Sequence, residues 1–517
     1  MGIYVSLDIF PDRIDMNAWR TYYEDTLRFL RAFPEGTVVD LRQDTVGRFK
    51  RWVYTRDIER DANDPTQRRW RIVGTLEGLK TAEDFDLWAD LQAYRRQNRE
   101  DSTGANILDT ATQSHAKGAR RVFDAKTQGE PYHFALLAIA TLAEWRFPGS
   151  ALASGVIDSG QAEQARALLR DLLGEAGPLP LLTDPARLYP TILASGQGVA
   201  TVDRFMDLYR GEQGEGLAAL VEYADPDSLA TWFERQLARY QPGQLGVHWL
   251  YSDWLNATRD VEGLARMACL HERGPRFAPR DFVEGLAATG VALMPEEGAR
   301  LAILQKERGD PGSVAYQFGT AFLDASGLQA RRSTCFLGEA VVGECLARLF
   351  PDQRATLAEA LRKRTAALRE QVATVVDAFE RLNQQAHDDP ETGDAASLLD
   401  YTPGAPLSEM QSLILDAFAS GIDKGMAMLR NEIYAKLPPE IGPREVLLGL
   451  CDRGSIALSE DAWAWIDAET DPDLIDLLAL VASIQDHSES FTNLRRAIMT
   501  HRELCVGLKD RANRTGS

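Results

Sequence analysis

The stretch FPGSALASGVIDSGQAEQARALL, residues 147–169, runs from a loop into a short apolar strand, a tight turn and a helix start. Such a turn exposes backbone amides at a helix N-terminus, which can hold a phosphate. Gly155, Asp158, Ser159 and Gly160 sit at that turn. It lacks both the Lys-Ser/Thr ending of a P-loop and the three spaced glycines of a dinucleotide site. Asp158 also puts a negative charge where the helix dipole would attract an anion. The pair Asp158 and Gln161 instead has capping-box spacing, which favours a structural corner over a ligand cradle.

Upstream, His133 in KTQGEPYHF could serve as a general base, with Asp158 and Gln161 as its partners and Lys126 contacting a ligand. No G-x-S-x-G nucleophile accompanies it, so a catalytic reading requires these residues to converge in space. The seven histidines include no H-E-x-x-H pair. HDDPETGDAASLLD begins like a calcium loop, but Pro390, Thr392 and Leu399 fall where ligands are needed. Neither a metal nor a cofactor is expected.

Two further groups could bind rather than catalyse. Residues 42–71 carry nine basic residues against five acidic ones, interleaved with Trp52, Tyr54 and Trp70. On a sheet face, Arg51 and Arg69 could contact phosphates while the aromatic rings stack on bases. The simpler reading is a two-sided sheet with its aromatic side inward and its Arg side paired with neighbouring acids. HWLYSDWLN and DAWAWIDAE offer Trp249, Tyr251, Trp254, Trp463 and Trp465 as protein-interaction anchors. At helical spacing the same rings also suit a core.

The elements that must position these residues follow from periodicity. GIYVSLDIF suits a strand, and MNAWRTYYEDTLRFLRAF spaces Trp19, Tyr22, Tyr23, Leu27, Leu30 and Phe33 along one helix face. TVVDL, RFKRWVYTRD and RWRIVGTL read as strands, and TAEDFDLWADLQAYRR as a helix capped by Thr81. Residues 1–125 are therefore expected to form an α+β domain with a mostly antiparallel sheet. Residues 126–385 read as mainly helical, with a small strand-helix-strand unit near 151–184. The helix expected over 355–383 is the longest. Residues 386–407, rich in acids, Pro and Gly, read as a linker, and 408–517 as a C-terminal helical domain. The fold class is mainly α, an N-terminal α+β domain followed by irregular helical-bundle or solenoid-like domains.

Composition narrows the function classes. The 517 residues carry a net charge of −20, which disfavours a general attraction to nucleic acid or anionic membrane and suits a basic protein partner. Five cysteines without C-x-x-C spacing point to reduced thiols. The opening MGIYVSLDIFPDRIDMNAW lacks a signal-peptide pattern, and no run approaches the ~18 apolar residues of a membrane helix. A cytoplasmic location is expected. Gly2 and Ser6 match the loose myristoylation pattern, but the same residues alternate as a strand.

KTQGEPYHFALLAIATLAEWRFPGSALASGVIDSGQAEQARALL, continuing into LPLLTDPARLY, resembles a module in large, uncharacterised bacterial cytoplasmic proteins that accompany toxins. The resemblance covers roughly residues 124–190. It implies an immunity or interaction role and transfers no catalytic residue. Two expectations follow: a bacterial cytoplasmic protein-binding protein of immunity or adaptor type, or a hydrolytic or nucleic-acid-processing enzyme with its site between the α+β domain and the first helical region.

Overall fold

The computed structural model describes residues 3–33, 38–76, 81–96, 118–127, 131–194, 198–211, 213–298, 333–386, 398–419, 422, 425–426, 429–430, 434–438, 441–484 and 489–515. Its contacts divide the chain into two compact units, Met1–Pro180 with Glu391–Ser517, and Leu181–Pro390. One separation, at 390/391, falls within the stretch 386–407 that reads as a linker, and the other, at 180/181, falls inside the region expected over 126–385. Residues 408–517 cluster with the N-terminal segment instead of standing alone.

The first unit opens with β1 (Tyr4–Ile9) and α1 (Met16–Ala32), then β2 (Val38–Val46), β3 (Phe49–Thr55), β4 (Glu59–Arg60), β5 (Arg69–Thr75) and β6 (Thr81–Trp88). The short α2 (Leu91–Arg95), β7 (Arg120–Lys126), α3 (Tyr132–Arg146), β8 (Ala151–Gly155) and α4 (Ser159–Leu173) follow. β1 is the centre of a three-stranded sheet ordered β7-β1-β8, antiparallel to both neighbours. Val5, Leu7 and Ile9 alternate along it into one core with α1 and α3. α3 is apolar on nearly every side, as a helix enclosed by a core must be. Its one carboxylate, Glu144, accepts a hydrogen bond from the Ala153 amide at 2.8 Å and so ties the helix to β8.

The second sheet runs β4-β5-β2-β3-β9, with β6 also paired to β5. Its pairs are antiparallel except the last, where β9 (Ala457–Ser459) lies parallel to β3 with Trp52, Val53 and Tyr54 opposite Ala457, Leu458 and Ser459. The C-terminal segment is thus helical with one added strand. Two other expectations need correction. Thr81 starts strand β6 rather than a helix, because Phe85 and Leu87 alternate into the core on a period of two, and the cap of α2 is Asp90. The second strand expected near 179–184 is a 3-10 turn at Leu181–Thr183. The centre of the proposed linker lies outside the described residues, but Leu398 and Leu399 at its end are buried in the C-terminal core.

In the second unit α5 (Pro185–Leu193), α6 (Val199–Leu208), α7 (Gln213–Tyr223), α8 (Pro226–Leu237), α9 (Leu245–Thr258), α10 (Val261–Ala265) and α11 (Pro279–Ala288) are followed by helices Glu339–Leu349 and Arg354–Ala386. The last is the long helix expected from the sequence, and Leu357, Leu361, Leu368 and Val372 form its buried stripe. All five cysteines are free thiols. Burial pushes those of Cys269, Cys451 and Cys505 up to about 12.

Gly155 closes β8 at φ +126°, and a Cβ there would run into the Tyr4 carbonyl oxygen of the paired strand. Gly155→Ala should therefore destabilise the protein by about 1–3 kcal/mol. The denaturant midpoint checks this, and an unchanged midpoint would contradict the close approach of β1 and β8.

Candidate functional site

The corner between β8 and α4 is built by its own residues. Asp158 Oδ1 accepts from the Gln161 amide at 2.7 Å, and Gln161 Oε1 accepts from the Asp158 amide at 3.2 Å, so the capping box is closed in both directions. The first turn of α3 brings His133 to the same corner. Its ring is 1% exposed, and Nδ1 meets Thr127 Oγ1 at 2.8 Å. Burial lowers the His133 pKa below the usual histidine range, while Gln161 and the charge of Asp158 pull it back up. The three candidate catalytic residues therefore converge. Asp158 and Gln161, however, bond each other in the helix cap, and the buried ring of His133 is held through Nδ1 while its Nε2 has no hydrogen-bond partner, an arrangement that shields the corner from solvent.

The proposed phosphate contacts are neutralised inside the chain. Arg51 lies 2.8 Å from Asp467 and 3.8 Å from Asp44, with its guanidinium over the Trp463 ring. Arg69 reaches Asp61 at 3.1 Å and Asp86 at 3.3 Å and lies over Trp88. Arg60 donates to Asp40 at 2.6 Å, and Arg68 bridges Glu24 and Glu59. Trp70 is fully buried, with its indole N–H donating to Thr26. The basic stretch is the paired, two-sided sheet. Lys126, on β7, is half-exposed and stands 3.9 Å from Glu83.

The tryptophan-rich stretches face inward for the most part. Tyr251, Trp254 and Trp463 are buried, and the indoles of Trp254, Trp463 and Trp465 donate to the backbone oxygens of Asp260, Trp52 and Thr500. Trp249 is partly exposed on α9. In the first unit a cleft of about 420 Å³ has Arg20, Thr66 and Arg68 on its walls. Arg20 is exposed there, so water can solvate its charge.

A surface that the sequence reading missed lies in the second unit. Asp184 and Asp225 cap α5 and α8, each directly before a helix-starting proline. Tyr189 and Leu193 stand one turn apart on α5, and Tyr223 ends α7. The two tyrosine rings stack at 6.2 Å with planes 27° apart. Tyr223 and Leu193 remain 38% and 39% exposed, which is unusual for large side chains beside a core. Carboxylates border the rings. Tyr223 is raised above the ordinary tyrosine range by partial desolvation, then by Glu222 and Asp184, and Tyr189 by desolvation and Asp225. Arg187 is the cation beside them, 3.9 Å from Asp184. The repeated Asp-Pro signals with a tyrosine nearby are visible in the sequence, but only tertiary packing brings the two tyrosines together.

The same unit holds an unusual core group. His248 is 5% exposed, and neither ring nitrogen has a hydrogen-bond partner. Burial, with a smaller contribution from Arg364, holds its pKa at about 4. No protein-family model, no curated protein and no solved structure matches the chain.

Two outcomes follow. Asp158→Ala should cost about 0.5–2 kcal/mol and Asp158→Asn much less, since Asn caps comparably. Melts in phosphate check the alternative, because a phosphate-dependent rise that is larger in the Asn variant would indicate a cradle. For His248, the unfolded chain takes up a proton near pH 6.5 that the folded chain refuses until about 4. Stability should fall by up to about 3 kcal/mol as pH drops through that window. His248→Leu should flatten this part of the profile, and an identical pH dependence in the variant would contradict the assignment.

Proposed function

We propose that the chain is a protein-binding protein whose second unit captures a basic segment of another protein on the Tyr189 and Tyr223 surface. The observation that carries this reading is the partly exposed Tyr223 ring, stacked on the buried Tyr189 ring and bordered by Asp184, Glu222 and Asp225. Tyrosine supplies large contact area at low conformational cost and is enriched among binding hot spots. A carboxylate rim steers a cationic partner and suppresses acidic ones. The net charge of −20 extends the same field beyond the patch. With the resemblance of residues 124–190 to toxin-associated proteins, these features favour an immunity or adaptor role in a bacterial cytoplasm.

An enzyme acting by hydrolysis or on nucleic acid is the second reading, and the convergence of His133, Asp158 and Gln161 favours it. The burial of that ring and the paired state of Arg51 and Arg69 weigh against it.

Affinity capture from a lysate of the source organism tests the first reading, with the wild type and a Glu222→Lys, Tyr223→Ala double variant as baits at low and high salt. The wild type should retain a basic protein in stoichiometric amount at low salt, and the variant should lose it by at least about tenfold, the scale of a hot-spot truncation. Circular dichroism should show both baits equally folded. Absence of a partner at either salt, or equal capture by both baits, would contradict the proposal.

A further inference from the structure

Arginine cannot shed its charge when it is buried, so a buried guanidinium must find an anion or sacrifice stability. Arg496, on helix Glu489–Thr500, is 1% exposed. Its Nη1 donates to the Leu76 carbonyl oxygen, the guanidinium lies 5.1 Å from the centre of the Tyr54 ring, and the Tyr54 hydroxyl adds a favourable side-chain interaction. Its Nε and Nη2 have no hydrogen-bond partner, and no carboxylate of a described residue pairs with it. Arg495 and Arg56 lie close enough to add repulsion.

Other buried charges in this chain are treated differently. Asp8 is met by Arg121 at 3.3 Å, Asp25 by Arg146 at 2.9 Å, and Glu234 by both His271 at 2.5 Å and Arg273 at 3.3 Å. A carbonyl and a ring face are weaker compensation than a carboxylate for a desolvated cation. The two nitrogens left without partners are also not an arbitrary pair. Nε and Nη2 form the side-on fork of a guanidinium, whose parallel N–H groups match two oxygens of one oxyanion.

We propose that Arg496 is the anchor of a binding site for a compact oxyanion of phosphate type, held bidentately by Nε and Nη2, with Arg495 and Arg56 supplying further positive charge. The anion replaces the missing carboxylate and neutralises a charge that no described residue of the chain neutralises. This site lies in the first unit and is independent of the tyrosine surface in the second.

The test uses the full chain in sodium phosphate, sodium acetate or sodium chloride at matched ionic strength, incubated to equilibrium because the guanidinium is covered. Melting temperature and calorimetric binding of inorganic phosphate are measured for the wild type, Arg496→Met and Arg56→Met. Phosphate should raise the wild-type melting temperature by a few degrees beyond chloride or acetate, as a ligand of the native state does. Arg496→Met should bind no phosphate and lose that rise. Should the Met variant fail to fold, Arg56→Met, altered at an exposed position, decides the matter by weakening phosphate binding about threefold to tenfold. A wild type that responds equally to all three salts would overturn the proposal. So would an undiminished phosphate response in a folded Arg496→Met, or in Arg56→Met where the Met variant does not fold, since either means an adventitious ion only.

Discussion

The parallel pairing of β9 with β3 is the contact on which the first unit depends. Three residue pairs join positions near 52 to positions near 457, and the indole N–H of Trp463 reaches the Trp52 carbonyl oxygen at 2.9 Å across 411 positions of chain. Without β9, β3 would present a row of unpaired backbone groups at a sheet edge. With it, Val53 enters the C-terminal core beside Leu447, Leu458 and Trp463, while Tyr54 packs on the other face with Val39, Leu76 and Ala457. An ion pair and a backbone hydrogen bond support the closure. Arg51 with Asp467, and the Lys50 amide with Asp452, join the same two segments. The apposition also sets Arg496 against Leu76 and Tyr54, so the covered guanidinium is a product of this closure.

Charge is distributed by a consistent logic. On the sheet face the arginines meet carboxylates of their own chain, so a stretch that is basic in sequence offers little free positive charge in the fold. Exposed pairs of this kind contribute little stability individually. Their effect is to remove the basic stretch as an attractor for phosphates, leaving the excess of acids to set the character of the surface. The aromatic residues divide along similar lines. Trp254, Trp463 and Trp465, from stretches clustered in sequence, pack inward with their N–H groups satisfied, whereas the stacked pair that leaves Tyr223 partly exposed is made of tyrosines that are distant in sequence.

The sequence carried its information unevenly. Long periodic elements were legible: α1 from Trp19 through Leu30, α3 from its apolar run, and Arg354–Ala386 from spacings of three, four and seven. The capping box was legible because both partners lie within one turn. β6 was misread because the acidic residues and Thr81 imitate a helix start, while the deciding alternation of Phe85 and Leu87 is only two residues deep. β9 is three residues long and exists through a partner hundreds of positions away, so no local pattern could reveal it. Arg496 in NLRRAIM reads as part of a polar helix face, and its burial comes from strands that close over it. Composition marks the linker, within which the units separate at 390/391, but not the segment to which the chain returns.

Amide hydrogen exchange across β3 tests the closure most directly. It compares the full chain with one ended after residue 390. The account predicts slow exchange over Arg51–Thr55 in the full chain and its loss in the shortened one, because β9 and the C-terminal core that covers Val53 are gone. Equal protection of Arg51–Thr55 in both chains would contradict it and would make residues 391–517 an independent domain.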